Sequence, residues 1–208
     1  MHGLTKEEHR ILTKLSSPIK IQDYLDTLPI NFEKRGETYM SVRRVLKEKK
    51  AHCFEGALLA ACALSLQGEK PLLLDLTSYP HDDDHVVALY RKNGYWGAIS
   101  KTNHAALRFR DPIYRTVREL ALSYFHEYFM NDSGKKVLAT YSDPFDLRKV
   151  KADWITAEKE LFSVMHALDK SPHHSIVPNG NKKYIRPADS MERRAGKIVE
   201  WKKSDRGT

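Results

Sequence analysis

Hydrophobic and polar positions follow two different periods along this chain, and the switch between them divides it. From Thr5 to Leu15 (TKEEHRILTKL) apolar residues recur at helical spacing, and Thr5 with Glu8 three residues later makes a capping-box start. Ser17-Pro18 interrupts that helix. A second amphipathic helix follows in IKIQDYLDTLPINF and ends before Pro29, because the residue preceding proline disfavours the α region. After Gly36 a third helical stretch sets Tyr39, Val42, Val45 and Leu46 on one stripe, with its basic residues outward. From Cys53 the polar face disappears: Ala57, Leu58, Leu59, Ala60, Ala61, Ala63 and Leu64 are nearly continuous, which predicts a helix buried on several sides. Its alanines allow close approach to a sheet, and Gly68 supplies a stop.

The period then shortens. Pro71 and LLLDL predict a short buried strand, and HVVALYR, from His85, alternates in the strand manner. Asn93-Gly94 marks a two-residue hairpin from which YWGAISK returns. With Asn93 and Gly94 central, Lys92 faces Tyr95, Val87 faces Ser100 and His85 faces Thr102. His85, Val87 and Leu89 then share a face with Ala98, Ser100 and Thr102.

Helical spacing resumes near Pro112, with Val117, Leu120, Ala121, Tyr124, Phe125 and Tyr128 as the apolar stripe. Ser142 to Lys151 reads as a loop or turn. Asp153 to Leu168 reads as a last amphipathic helix burying Trp154, Ala157, Leu161, Val164, Met165 and Leu168. Beyond Pro172 the chain turns polar and basic, and Pro178, Gly180 and Pro187 break any long element. No internal repeat is present. Helices, a small antiparallel sheet and helices again make the class α+β. The expected organisation is a single domain over residues 1–170 and a basic, weakly structured tail over 171–208.

Composition adds limits. A chain of 208 residues holds one well-cored domain, and 41% hydrophobic with 30% charged residues belongs to a soluble globular protein. No apolar run approaches the ~20 residues that span a bilayer, so no membrane partner is expected. The charged, amphipathic start lacks a signal-peptide core, which points to the cytoplasm. The net charge of +8 is uneven: from Lys170 onward ten Lys/Arg stand against four Asp/Glu. That tail reads either as a solvated segment or as a weak nucleic-acid contact. Cys53 and Cys62 are nine positions apart, on opposite faces of one helix, so they should remain reduced and unpaired.

Candidate chemistry gathers at Cys53 and His85. A thiol in the first turn of a helix feels the positive end of the macrodipole, which favours thiolate. Free cysteine is also a common small core hydrophobe, and that is the reading for Cys62. His85 heads a strand that could lean its ring over the helix start as a base, although a structural histidine has the same signature. His81 to His85 (HDDDH) suggests a metal, yet two histidines four apart on an extended chain lie about 13 Å apart, so no metal or cofactor is expected.

Taken in order, CFEGALL from Cys53, Gly68 then PLLLDL, HVVALY from His85 and WGAIS from Trp96 resemble the transglutaminase-like group of papain-fold cysteine enzymes, of the bacterial short-core type. The resemblance covers about residues 20–102. It implies a papain-like core, a Cys-bearing helix packed on a small antiparallel sheet, with Cys53 as nucleophile, His85 as base and the Cys53 amide in an oxyanion hole. The implied activity is a cysteine-dependent hydrolase or acyltransferase acting on an amide or peptide bond through an acyl-thioester, without cofactor.

One departure matters. The family's aspartate falls on Ser100, and losing a charged orienter can lower the rate on the order of 10⁴-fold. A hydroxyl can orient a ring but cannot neutralise it. Asn103, Asp84 and Thr102 are alternative orienters. Trp96, His104, Arg108 and Arg110 are candidates to line a substrate groove, and the polar ones equally suit rim salt bridges. Two other functions remain: an inactive binding or scaffold protein on the same fold, and a nucleic-acid-associated protein using the tail.

Overall fold

The structure, a computed structural model, describes residues 3–34, 36–79 and 84–202. Thr5 starts the first helix as its spacing predicts: its hydroxyl accepts from the Glu8 amide at 3.2 Å, and Glu8 accepts from the Thr5 amide at 2.7 Å. That helix, α1, is Lys6–Lys14. Ser17-Pro18 ends it and also begins the next, α2 (Pro18–Thr27), with Ser17 capping and proline in the first turn, where its missing N–H does no harm. The third helix, α3, is only Val42–Glu48, because Ser41 caps it and the preceding residues run outside helix. The apolar helix α4 is Cys53–Leu66, buried from Phe54 to Leu64.

Among the described residues seven strands form an antiparallel sheet: β1 (Leu72–Ser78), β2 (His85–Lys92), β3 (Tyr95–Ser100), β4 (Arg110–Tyr114), β5 (Leu138–Ser142), β6 (Phe145–Asp146) and β7 (His173–Ser175). Their order is β4-β3-β2-β1-β5-β7, with β6 beside the first residues of β1. Both residues of the Asn93-Gly94 turn have positive φ, 50° and 88°, as a tight hairpin matching strand twist requires. Lys92 pairs with Tyr95 and Val87 with Ser100, the expected register. β3 ends at Ser100, so the predicted pairing of His85 with Thr102 does not form, and His85 lies opposite Leu76 of β1.

Each sheet face has its own core. Leu73, Val86, Ala88, Tyr90 and Ile99 pack under α4, while Leu74, Leu76, Val87, Leu89 and Ala98 pack under α5 (Val117–Phe125). Helices and an antiparallel sheet thus make an α+β molecule. Among the described residues no helix is long and apolar enough to cross a membrane.

Three expectations need correction. Residues 110–114 are not a helix start but the edge strand β4, where Pro112 is tolerated. α5 waits for its cap at Thr116, whose hydroxyl accepts from the Glu119 amide. Residues 153–161 are not helical, and only Phe162–Asp169 (α6) is. The Asp153 carboxylate accepts the Ile155 and Thr156 amides at 3.1 and 2.9 Å, and the Trp154 and Ile155 carbonyls accept from Val42 and Arg43. The backbone is committed outside a helical ladder.

The segment after residue 170 is also no loose appendage. β7 extends the sheet from β5, Ile176 and Ala188 are buried, and Asp189 caps α7 (Ser190–Gly196). Residues 198–201 then run beside 103–105, with the Ala105 amide donating to Ile198 and the Glu200 amide to Asn103. These bonds join distant backbone groups and leave no periodic signature in sequence.

Candidate active site

A buried carboxylate organises the start of α4. Glu55 is fully buried and accepts from the His52 amide (2.9 Å), the Asn31 side-chain amide (3.1 Å), the Thr38 hydroxyl (3.0 Å) and the Met40 amide (3.1 Å). Burial pushes its carboxyl pKa up against those donors and the His52 charge. The result pins Asn31, Thr38 and Met40 against the helix N-terminus.

Cys53 occupies the first turn of α4 and is partly exposed. Its Sγ lies 3.8 Å from the Asp84 carbonyl, which places the thiol beside the head of β2. A groove of about 550 Å³ opens there, lined by His52, Cys53, His85, Lys101 and Leu107 among others. Burial acts to raise the thiol, but hydrogen bonds and charge from His52 and His85 outweigh it and hold Cys53 well below its ordinary value.

His85 is buried, and its Nε2 lies 2.8 Å from Ser100 Oγ. The Ser100 hydroxyl spends its one proton on the Leu107 carbonyl at 2.6 Å, so it must accept from His85, and Nε2 carries the hydrogen. Nδ1 is thereby left as the basic nitrogen. Ser100 is itself clamped, because Gln22 of α2 accepts its amide (2.9 Å) and donates to its carbonyl (2.8 Å). Leu107 adopts φ 59°, a left-handed conformation that L-residues rarely hold, and its amide donates to Glu127 at 2.8 Å. That backbone turn presents its carbonyl to Ser100.

Beside the thiol stands His52, which the sequence reading passed over. Its Nε2 lies 2.7 Å from the Thr38 carbonyl, 3.4 Å from Glu55 and 3.8 Å from Glu33. Burial alone would lower its pKa; contact with Cys53 and the charge of Glu55 reverse this and push it up to about 9. The only signal in sequence was its position immediately before Cys53. Lys101 was missed as well. It is buried, donates to the Leu28 carbonyl and packs on Gly56 of α4, and burial lowers its pKa.

Of the remaining candidates, Asp84, Thr102, Asn103 and His104 line the groove, and Trp96, Arg108 and Arg110 do not. Asn103 does not orient His85: its amide both donates to and accepts from the Trp201 backbone, at 2.9 and 2.8 Å. Asp84 turns a carboxylate oxygen to the Ser78 amide at 2.7 Å, and the Thr102 hydroxyl accepts from His104. Trp96 lies outside the groove, under the Arg91 guanidinium near the hairpin turn. Arg108 pairs with Glu200, Arg110 pairs with Glu127 over the Tyr124 ring, and neither lines the groove. His104 does line the groove, its Nδ1 bonded to the Gly196 carbonyl. His81, of the HDDDH run, lies outside the described residues.

Behind the site, Asp75 of β1 is fully buried with one oxygen 3.3 Å from His173 Nε2. Burial and the nearby Asp84 charge push its carboxyl up to about 7, against the pull of His173. Scanned against family models the chain matches none, and among curated proteins it has no significant match.

Proposed function

We propose that this protein is a cysteine-dependent hydrolase or acyltransferase acting on amide or peptide bonds. Cys53 thiolate attacks the carbonyl carbon, the C–N bond breaks, and His85 gives its proton to the departing amine. Water or an amine then attacks the thioester, passes a proton to His85, and the C–S bond breaks. The Cys53 amide, in the first helical turn and without an intrahelical acceptor by position, is the nearest donor for the oxyanion.

One observation carries the reading. The ring of His85 is tied at Nε2 to Ser100, which leaves Nδ1 as the base for a thiol at the head of a helix. A Cys-bearing helix on an antiparallel sheet, with the histidine on the adjacent hairpin, is also the arrangement expected of the transglutaminase-like group. The uncharged Ser100 favours a second reading, a binding protein with an inert thiol on the same scaffold.

The pH dependence of iodoacetamide alkylation at Cys53, in a Cys62→Ala background, separates the two. An apparent pKa well below the ~8.5 of a free thiol, rising in His85→Ala, supports the enzyme. An ordinary midpoint indifferent to His85→Ala would falsify it and favour the binding protein.

A further inference from the structure

Resting on the cysteine-enzyme reading, we infer that His52 is a second catalytic imidazole, whose positive charge stabilises the Cys53 thiolate directly rather than through His85. Four facts lead there. A carbonyl only accepts, so His52 Nε2 must carry a hydrogen to bond Thr38 at 2.7 Å. Nδ1 is then the nitrogen left for the adjoining Cys53. Glu55 and Glu33 lie 3.4 and 3.8 Å from that Nε2 and hold positive charge on the ring. Both imidazoles line the same groove as the thiol.

The two rings therefore flank one sulfur with matched bonding. Each has Nε2 fixed as a donor to an uncharged oxygen, Ser100 Oγ for His85 and the Thr38 carbonyl for His52. Among the described residues, of these two rings His52 alone has carboxylates within 4 Å. A neutral hydroxyl orients His85 without stabilising its imidazolium, so a thiolate–imidazolium pair built on His85 alone lacks its usual counter-charge. His52 instead stabilises the thiolate member of that pair directly. Of the other groups facing this centre, the Tyr39 ring packs edge-on to His52 at 6.1 Å, and the Asp84 carboxylate opposes thiolate formation.

The division of labour follows from proton balance. During acylation His85 releases its proton to the leaving amine and recovers one from water during deacylation. His52 keeps its proton throughout. It stabilises the sulfur's electron pair before attack and again when the C–S bond breaks, which makes Cys53 a better leaving group from the thioester.

The test compares four proteins in the Cys62→Ala background: parent, His52→Gln, His85→Gln and the double variant. Glutamine keeps an N–H near the Nε2 position for Thr38 but cannot carry charge. Iodoacetamide alkylation is followed against pH, and acylation and deacylation by a p-nitrophenyl ester are followed by intact mass. His52→Gln should raise the alkylation midpoint by a pH unit or more, about tenfold less thiolate below it, and slow deacylation. A low parental midpoint that rises only in His85→Gln overturns the role of His52 and leaves the cysteine-enzyme reading standing. An ordinary parental midpoint overturns both. Should His52→Gln fail to fold, Glu33→Gln at the groove rim substitutes, with a smaller upward shift expected and no shift counting against the role.

Discussion

Ser100 shows how one hydroxyl decides the chemistry of its neighbours. It donates to Leu107 and accepts from His85, so both of its capacities are in use. Ser100→Ala should cost about 1–2 kcal/mol of ring orientation, roughly five- to thirtyfold in acylation rate by an activated ester. Ser100→Asp should be slower still. A carboxylate there would oppose the Leu107 carbonyl with no proton between them. A Ser100→Asp variant as fast as the parent would show that Leu107 yields readily and that the hydroxyl is dispensable. The sequence identified position 100 twice, through the aspartate position of the family it resembles and through the hairpin register. It did not reveal why serine suits the position, because the partner carbonyl belongs to a left-handed residue in an irregular loop.

At the scale of elements, α4 matters through how closely its neighbours approach. A Cβ at Gly56 would stand 2.5 Å from Lys101 Cβ, an atom near the backbone that cannot swing away. Overpacking of this kind costs about 1–3 kcal/mol, and alanine's better helix propensity returns only about 1. Gly56→Ala should therefore destabilise by up to roughly 2 kcal/mol, read from the denaturant midpoint; a more stable variant would mean that Lys101 relocates at little cost. Elements were legible where one period ran unbroken, as in α1, α4 and the β2–β3 hairpin. Thr5, Ser17 and Asn93-Gly94 acted through local chemistry that spacing displays. β4 and β7 were not legible, because short edge strands depend on a neighbour's free edge rather than on their own pattern. The 153–161 stretch imitates a helix in its apolar spacing, yet Asp153 diverts its first amides.

Across the whole molecule, the buried pair of Asp75 and His173 ties the segment after residue 170 to the central sheet. His173 Nδ1 donates to the Ser171 carbonyl at 2.6 Å, so a single proton occupies the gap between Nε2 and Asp75. The Asp75 carboxyl titrates near 7 in the folded chain, above its unfolded value of 3.8. Stability from its protonated form is thus complete below about 3.8 and lost as pH rises through about 7. Asp75→Asn should remove that slope, so the parent loses melting temperature relative to the variant between about pH 5 and pH 8. A difference that stays level across that interval would place the shared proton elsewhere.

The segment at 198–201 has a consequence in time. Asn103 holds Trp201 across 98 residues, and Gly196 helps line the groove. Ribosomes add about 5–20 residues each second, so roughly 5–20 s separate the synthesis of one side of this rim from the other. Cys53 and His85 are both made before that interval begins. Every newborn copy therefore passes through a period in which its thiol region exists and its outer wall does not, and the wall closes only as synthesis of this segment is completed.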